Sequence, residues 1–361
     1  MVALVAYQNI FPKQTNNRLI AYYRLLEDER HEPRFYFIKG RGDLPDFRSW
    51  SFQTFLVKVP YVGILAGIIR AWFFFLFDRR DKIIYLYDPN AFWWPLTKLW
   101  KIQGRNLIVE RTELHSSDAV RGFKAKFLRT LYTLDERTVY QKQVVISERI
   151  KEHIEKHRHS RIHVVPAFFE SRYFEGTYVP SEHLKIGYLG SFGKKDAVHD
   201  IIHACELLRQ HHPSATVHLF GPLEQFVRLD RAFHFPDWVH YEGSPVYTQL
   251  AENLRSCSML ISFRDRSAYS QFGFPTKLIE YLASGVPVIS TRSAEVDKLF
   301  SHEEHLLLCQ AENVSELAEL MHFYAARGHI ASEIAQQGRE QVAKVSEFSH
   351  FRAGWLDFLL N

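Results

Sequence analysis

Cysteine is scarce in this 361-residue sequence, and the few cysteines present are far apart. They are Cys205, Cys257 and Cys309, and no two of them share a paired spacing. A sparse, odd-numbered set argues against a disulfide framework and against a zinc site of the Cys-x-x-Cys kind. It favours a reducing compartment, and the sequence therefore predicts a cytoplasmic protein.

Signals for export and for membrane insertion are also lacking. An apolar run over residues 2–7 follows Met1 directly, with no basic region before it and no small-residue cleavage site after it. The strongest apolar stretch, residues 61–77, is interrupted by Arg70. It falls short of the roughly 20 apolar residues that span a bilayer. We expect a buried or interfacial helix here, and not a membrane span.

The composition is that of a globular protein with an uneven distribution of charge. Hydrophobic residues make up 46% and charged residues 24%, and the length suits two domains. Residues 1–180 carry 29 Lys and Arg against 19 Asp and Glu, a net charge of +10, whereas the remainder is at −6. A basic first half indicates an anionic partner. Charge alone fits both nucleic acid and an anionic membrane.

Strand-like and helical patterns alternate along the chain in two successive rounds. The first round has candidate strands at residues 2–7, 34–38, 82–87, 106–110, 143–147 and 162–166. The second has them at residues 185–189, 216–220, 238–241, 259–263 and 287–290. This alternation predicts parallel sheets covered by helices on both faces. We expect an α/β protein with two Rossmann-like domains facing a cleft, residues 1–180 and 181–345. A C-terminal helix, residues 346–361, is a candidate to pack back on the first domain.

The segment with the clearest chemistry is residues 274–290, FPTKLIEYLASGVPVIS. Pro275 is expected at the first helical position and Gly285 just beyond the helix end. A helix start attracts phosphate, and Lys277 and Glu280 share one face of this helix. The lysine would meet a diphosphate and the glutamate would accept from ribose hydroxyls. The alternative is an ordinary capped helix with a solvated Lys–Glu pair.

This segment resembles the donor-site signature of retaining GT-B glycosyltransferases of family 4. Arg264, ten residues before Phe274, matches an arginine that bacterial members carry after the preceding strand. The resemblance implies that Glu280 binds the donor ribose. The family's usual first glutamate is replaced by Phe272, so contacts to the donor sugar differ from the family pattern. The residues implied at the diphosphate are Phe274, Thr276, Lys277 and Arg264, the last two with a catalytic role.

Three further segments of the second half resemble the nucleotide-binding loops of the same family. They are residues 185–193, 220–222 and 241–245, and each places a glycine after a strand, where backbone can approach a phosphate closely. Ser191 stands where the family commonly has arginine. The alternative for the nearby Lys194 is a place in a solvated turn with no ligand. The implied donor-binding residues are Gly190, Ser191, Lys194, Gly221 and Gly243.

In the first half the resemblance is weaker and points to the acceptor side. Family members carry a histidine after the strand that here ends near residue 110, and it reaches the donor sugar. His115 is the candidate for this catalytic position, with an ordinary loop histidine as the alternative. The family's glycine-rich first loop is absent from residues 8–17. The acceptor-side candidates are Asn16, Asn17 and Glu113.

A basic stretch in the first half suits a membrane surface. Arg121, Lys124, Lys126 and Arg129 interleave with aromatic residues and leucines, the pattern of a helix that lies on anionic lipid. The alternative is a domain helix with a basic exposed side. The expected partners are a nucleotide sugar, a sugar or lipid-linked acceptor, and an anionic membrane surface at the inner face, with no nucleic acid.

These features predict a glycosyltransferase of polysaccharide or glycan biosynthesis. The resemblance implies transfer from a nucleotide diphosphate sugar to an acceptor hydroxyl with retention of configuration. No cofactor and no metal are expected, because helix-start amides and side-chain cations meet the leaving diphosphate. One alternative is a nucleotide-sugar 2-epimerase of related fold, which needs carboxylates placed for proton transfer. The other is a degenerate, non-catalytic sugar-nucleotide-binding protein.

Overall fold

The chain forms two compact α/β units. The computed structural model describes residues 1–8, 17–39, 48–51, 62–89, 93–112, 140–156, 160–181, 183–190, 192, 197–221, 234–266 and 274–361. The first unit contains the described residues up to Pro166 together with Phe351–Asn361. The second unit is Ala167–His350.

The first unit is built on a seven-stranded parallel sheet in the order β3-β2-β1-β4-β5-β6-β7. Its strands are β1 (Val2–Gln8), β2 (Pro33–Lys39), β3 (Ser49–Ser51), β4 (Ile83–Tyr87), β5 (Asn106–Arg111), β6 (Lys142–Val145) and β7 (Arg161–Val164). Its described helices before the second unit are α1 (Asn17–Asp28), α2 (Val62–Phe77), α3 (Trp94–Ile102) and α4 (Glu148–Glu155).

The second unit is built on a six-stranded parallel sheet in the order β10-β9-β8-β11-β12-β13. Its strands are β8 (Lys185–Leu189), β9 (Thr216–Phe220), β10 (Val239–Gly243), β11 (Met259–Ser262), β12 (Val288–Thr291) and β13 (Leu307–Cys309). Its described helices are α5 (Val198–Arg209), α6 (Leu250–Arg255), α7 (Thr276–Ser284), α8 (Ala294–Leu299), α9 (Val314–Ala326) and α10 (Gly328–Ser346).

The predicted fold class is confirmed, because both halves are parallel sheets with intervening helices. Each strand predicted from the sequence is present within two residues of its expected bounds. Strands β3 and β13 were not predicted, because they have three residues each and are too short to give a periodic signal.

In the first unit, α2 and α3 cover the same face of the sheet. Alternate residues of β1, β4 and β5 point to this face, and they form one core with the buried sides of both helices. The shared core includes Ala3, Val5, Ile84, Leu86, Leu107, Val109, Ile68, Phe75, Leu96 and Trp100. The ring of Phe75 packs edge-on against Trp100, with centroids 5.2 Å apart, which joins the two helices.

The apolar stretch at residues 61–77 contains α2, which is buried on one side only. Ile68, Ala71 and Phe75 are buried, whereas Phe73 and Phe77 are exposed. Among the described helices, none combines the length and the apolar composition that crossing a bilayer requires.

The C-terminal helix α11 (Arg352–Leu360) packs on the first unit, as the sequence predicted. The indole of Trp355 stacks on Tyr22 with ring centroids 4.0 Å apart, and its Nε1 donates to the Tyr85 hydroxyl at 3.3 Å. Phe358 stacks on the His163 ring at 5.3 Å. These contacts place the last helix of the chain on the sheet of the first unit.

The chain divides at 166/167 and 350/351, whereas the sequence placed the boundaries at 180/181 and 345/346. Residues 167–180 lie in the second unit because their backbone is held there. Phe169 forms a parallel bridge with Glu347. The carbonyl of Phe174 accepts from the guanidinium groups of Arg255 at 2.6 Å and Arg339 at 2.9 Å. Composition gave no signal for these backbone contacts.

The three cysteines are buried free thiols in the second unit. Burial raises the pKa of Cys205, Cys257 and Cys309 to about 12 in each case. They therefore stay protonated at neutral pH and pack as small apolar side chains.

Candidate functional site

The strand order of the second unit marks one position on its sheet for ligand binding. The chain runs outward from β8 through β9 to β10, and then returns to the other side of β8 as β11. In open parallel sheets, ligands bind beyond the carboxyl ends of the strands at such a switch point. Gly190 follows β8 and Arg264 follows β11. Both predicted site residues therefore lie at this position.

Three predicted glycines come together where β8, β9 and β10 end. The Gly190 amide donates to the Phe220 carbonyl at 3.0 Å, and the Gly221 amide donates to the Gly243 carbonyl at 2.7 Å. Gly221 has φ of +137°, and a Cβ there would lie 1.9 Å from the Gly190 carbonyl oxygen. Only glycine permits this backbone approach. The structure thus brings Gly190, Gly221 and Gly243 into adjoining turns.

Helix α7 begins beside these turns and presents its positive end. Thr276 is its first residue, and Pro275 precedes it with φ −73° and ψ 90°. The proline was expected at the first helical position, but its extended ψ excludes it from the helix. The first turn contains no acidic residue, so no carboxylate of that turn neutralises the helix dipole there. Gly285 ends the helix with φ +78°, as predicted.

Lys277, in the first turn of α7, extends to the end of β8. Its Nζ donates to the hydroxyl of Tyr188 at 2.9 Å and lies 4.3 Å from the centroid of that ring. A Cβ on Gly190 would lie 2.9 Å from the same Nζ. The ammonium group is therefore held against the glycine turn. Tyr188 was not predicted as a site residue, because it has the pattern of an ordinary buried strand residue.

Tyr281 ties α7 to β8 one turn after Lys277. Its hydroxyl accepts from the Leu189 amide at 2.7 Å and donates to the Leu189 carbonyl at 3.2 Å. Residues four apart lie on the same face of a helix, so Tyr281 and Lys277 both contact the end of β8. Each such hydrogen bond contributes about 1 kcal/mol. Tyr281 was also missed, since its spacing in the helix predicts only a core position.

Glu280 is 7% exposed, which is not the exposure of a solvated surface carboxylate. Tyr247, in the segment after β10, is close enough for electrostatic interaction with it. Burial, followed by the carboxylates of Glu280 and Glu170, raises the pKa of Tyr247 well above its usual value. The phenol of Tyr247 therefore stays protonated. Among the described residues, its buried hydroxyl has no hydrogen-bond partner.

A small pocket lies between the ends of β11 and β12 and the start of α7. Its lining residues are Arg264, Asp265, Pro275, Ser290, Thr291, Arg292 and Ser293. The backbone amide of Arg264 donates to the Thr291 hydroxyl at 2.9 Å, which fixes the chain where it leaves β11. Phe274 is buried beside Pro275, and Thr276 is exposed at the helix start. Arg264 and Pro275, the residue before α7, therefore border the same space.

His115, Glu113, Asn16, Ser191 and Lys194 lie outside the described residues, as do the four basic residues at positions 121–129. Asn17 begins α1, and its side chain also lies outside the description. Within the described ranges, no group of three or more His, Cys, Asp or Glu side chains could hold a metal ion.

A known family model matches part of the second unit. Residues 183–325 match the family model described as glycosyl transferases group 1. This segment contains Gly190, Gly221, Gly243, Arg264, Lys277 and Glu280. The search of curated protein sequences gave no significant match.

Solved structures match the whole chain at low sequence identity. Sucrose-phosphate synthase from Thermosynechococcus elongatus has a TM-score of 0.76 at 15% identity, covering 99% of this chain and 97% of that one. HepE from Anabaena, in complex with UDP-glucose, has a TM-score of 0.74 at 13% identity, covering 99% of both chains. WaaG, a glycosyltransferase involved in lipopolysaccharide biosynthesis, has a TM-score of 0.75 at 14% identity, covering 100% of both chains. The chain therefore has the GT-B fold, and its second unit contains the segment that matches the glycosyl transferases group 1 family.

Proposed function

We propose that this protein is a glycosyltransferase that moves a sugar from a nucleoside diphosphate sugar to an acceptor hydroxyl. The observation that carries the proposal is the position of Lys277. Its ammonium group is held by Tyr188 against the Gly190 turn, at the start of a helix within the matched family segment. A cation, a helix start and a glycine turn at one place suit a diphosphate.

The chemistry of the transfer requires charge compensation at the leaving group. Negative charge grows on the diphosphate as the bond to the sugar breaks, and preorganised donors stabilise it. The amides at the start of α7, Lys277 and Arg264 supply these donors. Glu280 accepts from the ribose hydroxyls, and its burial strengthens that hydrogen bond. The tether from Lys277 to Tyr188 keeps the ammonium group in place before the donor binds.

Retention of configuration and independence from metal ions are part of the same proposal. The cations and amides at the diphosphate take the role that a divalent ion has in other enzymes, so activity is expected to survive chelation by EDTA. The acceptor hydroxyl attacks the anomeric carbon from the face that the diphosphate leaves. The bond to the acceptor oxygen forms as the bond to the diphosphate breaks, and the hydroxyl proton passes to the leaving phosphate.

The structural neighbours support a sugar nucleotide and a glycan acceptor. The HepE structures contain UDP-glucose in one case and UDP with glucose in another, and WaaG acts in lipopolysaccharide biosynthesis. We therefore extend the proposal to glycan or polysaccharide biosynthesis on a lipid-linked acceptor. The enzyme would work in the cytoplasm, at the inner membrane face. The prediction that residues 121–129 contact lipid remains a prediction.

A panel of sugar nucleotides tests the proposal. Nucleotide release is measured with and without lipid-linked saccharide acceptors, and the sugar nucleotide is analysed for epimers. Release that requires an acceptor supports the transferase. A new sugar nucleotide epimer without acceptor indicates the 2-epimerase, and binding without any conversion indicates the non-catalytic protein. Either of the last two results would overturn the proposal.

A further inference from the structure

Tyr247 lies on the ligand-binding edge of the second unit, in the connection between β10 and α6. It begins a 3₁₀ turn, Tyr247–Gln249, that leads directly into α6. Helices that connect parallel strands run opposite to the strands, so α6 and α7 both begin at the carboxyl edge of the sheet. The two helices pack together, and Nε of Arg255, at the end of α6, donates to the Ser284 carbonyl, at the end of α7, at 3.0 Å. Tyr247 is therefore on the same side of the sheet as the start of α7.

Two aromatic neighbours hold the ring of Tyr247. Tyr173 packs edge-on against it with ring centroids 4.9 Å apart, and the Phe174 centroid lies 6.2 Å away. Both neighbours belong to residues 167–180, whose backbone is held in the second unit. Packing therefore places the Tyr247 hydroxyl before any ligand binds, which lowers the entropy that a ligand contact would cost.

The hydroxyl of Tyr247 is buried, and no atom of the described residues hydrogen-bonds to it. A buried hydroxyl without a protein partner is uncommon, because it has given up its hydrogen bonds to water. Glu280 has the largest electrostatic effect among the charged groups that help burial to raise the pKa of Tyr247 well above its usual value. The phenol therefore keeps its proton and can donate a hydrogen bond close to Glu280.

Glu280 and Tyr247 together offer what a ribose hydroxyl requires. Such a hydroxyl donates one hydrogen bond and accepts others, whereas an ionised carboxylate only accepts. Glu280 can therefore accept from the hydroxyl but cannot donate to its oxygen. A protonated phenol beside the carboxylate supplies the missing donor.

We propose that Tyr247 is a further donor-site residue, whose hydroxyl donates to a ribose hydroxyl that itself donates to Glu280, so that the site selects nucleotides with an intact ribose. The inference rests on the proposed function, because it requires a ribose at Glu280. A site that hydrogen-bonds a substrate hydroxyl rejects the analogue that lacks it much more strongly than an apolar pocket does. Tyr247 thus determines specificity and takes no part in the chemical step.

Titration calorimetry with deoxy analogues tests the proposal. The probe is whichever of UDP, GDP and ADP binds the full-length protein most tightly, together with its 2′-deoxy and 3′-deoxy forms. We expect Tyr247→Phe, which keeps the ring and removes the hydroxyl, to weaken binding of the ribonucleotide about three- to tenfold. For one of the two deoxy forms, the one without the hydroxyl that Tyr247 meets, the variant and the wild type should bind equally.

Tyr324→Phe is the matched control. The Tyr324 hydroxyl is also buried in the second unit, but it donates to the Val288 carbonyl at 3.2 Å, at the start of β12. Its removal should lower the midpoint of thermal unfolding and leave nucleotide affinity unchanged. Tyr247→Phe should do the opposite: the ligand-free protein should unfold at the same or a higher temperature, because no hydrogen bond within the described protein is lost.

Three results would overturn the inference, and they separate it from the proposed function. Equal weakening of the ribonucleotide and both deoxy forms by Tyr247→Phe would show that the residue acts by packing alone. Unchanged affinity for all three would show that its hydroxyl does not reach the nucleotide. In either case the proposed function stands if Glu280→Ala still weakens binding. Absence of nucleoside diphosphate binding to the wild type would overturn both.

Discussion

Glu280 is a buried carboxylate on the helix that the family resemblance assigns to the donor. We predict that Glu280→Ala weakens binding of a nucleoside diphosphate while the protein stays folded. A hydrogen bond to a charged group contributes roughly 1.5–3 kcal/mol, so affinity should fall about tenfold or more. Titration calorimetry with UDP and with other nucleoside diphosphates measures it. Glu319→Ala, which removes an exposed carboxylate from α9, is the matched control. Unchanged affinity in the Glu280 variant would show that Glu280 does not bind the ribose.

Lys277 is expected to act on the transition state more than on the bound substrate. We predict that Lys277→Met and Arg264→Ala each lower kcat more than they change the KM for the donor, because leaving-group charge is greatest in the transition state. Tyr188→Phe removes one hydrogen bond from Lys277 but keeps the cation, so its effect on kcat should be smaller. If Lys277→Met and Arg264→Ala both keep wild-type turnover, the diphosphate binds elsewhere.

At the scale of single residues, the sequence indicated the charged candidates, Lys277 and Glu280, but not the tyrosines beside them. Lys277 and Glu280 stand out because their segment resembles a donor-site signature, whereas their spacing alone also fits an ordinary solvated pair. Tyr188 and Tyr281 occupy positions that the apolar patterns of β8 and α7 assign to the core. Their hydroxyl contacts join two segments that are about ninety residues apart. A periodic pattern carries no information about such a contact.

At the scale of elements, the turn after β9 is tightly constrained, because Gly221 lies against the Gly190 backbone. We predict that Gly221→Ala destabilises the second unit, since its φ of +137° is strained for alanine and the new Cβ would overlap the Gly190 carbonyl oxygen. The free energy of unfolding should fall by about 1–3 kcal/mol, which denaturant unfolding measures. Nucleotide binding should weaken as well. At Gly328, the start of α10, a Cβ meets no atom within 4 Å. Gly328→Ala should therefore be neutral or stabilising. Equal stability of the two variants would contradict the predicted strain.

The elements themselves were more predictable than their boundaries. Helix α7 carries its end signal in the sequence, because Gly285 adopts the positive φ that favours glycine. The helix begins one residue later than predicted, at Thr276. The prediction was off because proline suits both the first helical position and the extended residue before it. The parallel direction of the strands follows from the alternation of strands and helices. The contacts that assign residues 167–180 to the second unit depend on Arg255 and Arg339, which the sequence places far away.

At the scale of the whole molecule, a buried ion pair links distant parts of the first unit. Arg18 donates through Nε to Glu110 at 2.7 Å and through its other nitrogens to the carbonyls of Val165 and Pro166. The Tyr85 hydroxyl donates to the second oxygen of Glu110 at 2.9 Å and accepts from Nε1 of Trp355 at 3.3 Å. The start of α1, the end of β5, the last residues before the second unit and α11 thus share one polar network. Loss of one partner of such a buried pair strongly destabilises the folded protein, because the other charge is left buried and uncompensated.

The docking of α11 should also depend on pH through His163. This residue of β7 stacks on Phe358 at 5.3 Å, and a Cβ on Gly354 would lie 3.3 Å from its ring. Burial lowers the pKa of His163 below its usual value, and the Asp357 carboxylate acts in the opposite direction. The folded protein therefore favours the neutral ring. Its contribution to stability is present above the unfolded pKa of about 6.5 and is lost as the pH falls through the lower folded pKa.

We predict that His163→Gln flattens the acid side of the stability profile. The free energy of unfolding of the wild type should fall as the pH drops below about 6.5, because the unfolded chain then binds a proton that the folded chain resists. The variant lacks this group, so the difference in free energy of unfolding between variant and wild type should shrink as the pH falls. Denaturant unfolding at a series of pH values measures the free energy of unfolding, and the near-ultraviolet circular dichroism of the aromatic side chains follows the loss of packing. His329→Gln removes an exposed histidine of α10 and should leave the profile unchanged. A pH-independent difference between the His163 variant and the wild type would show that the ring acts by packing alone.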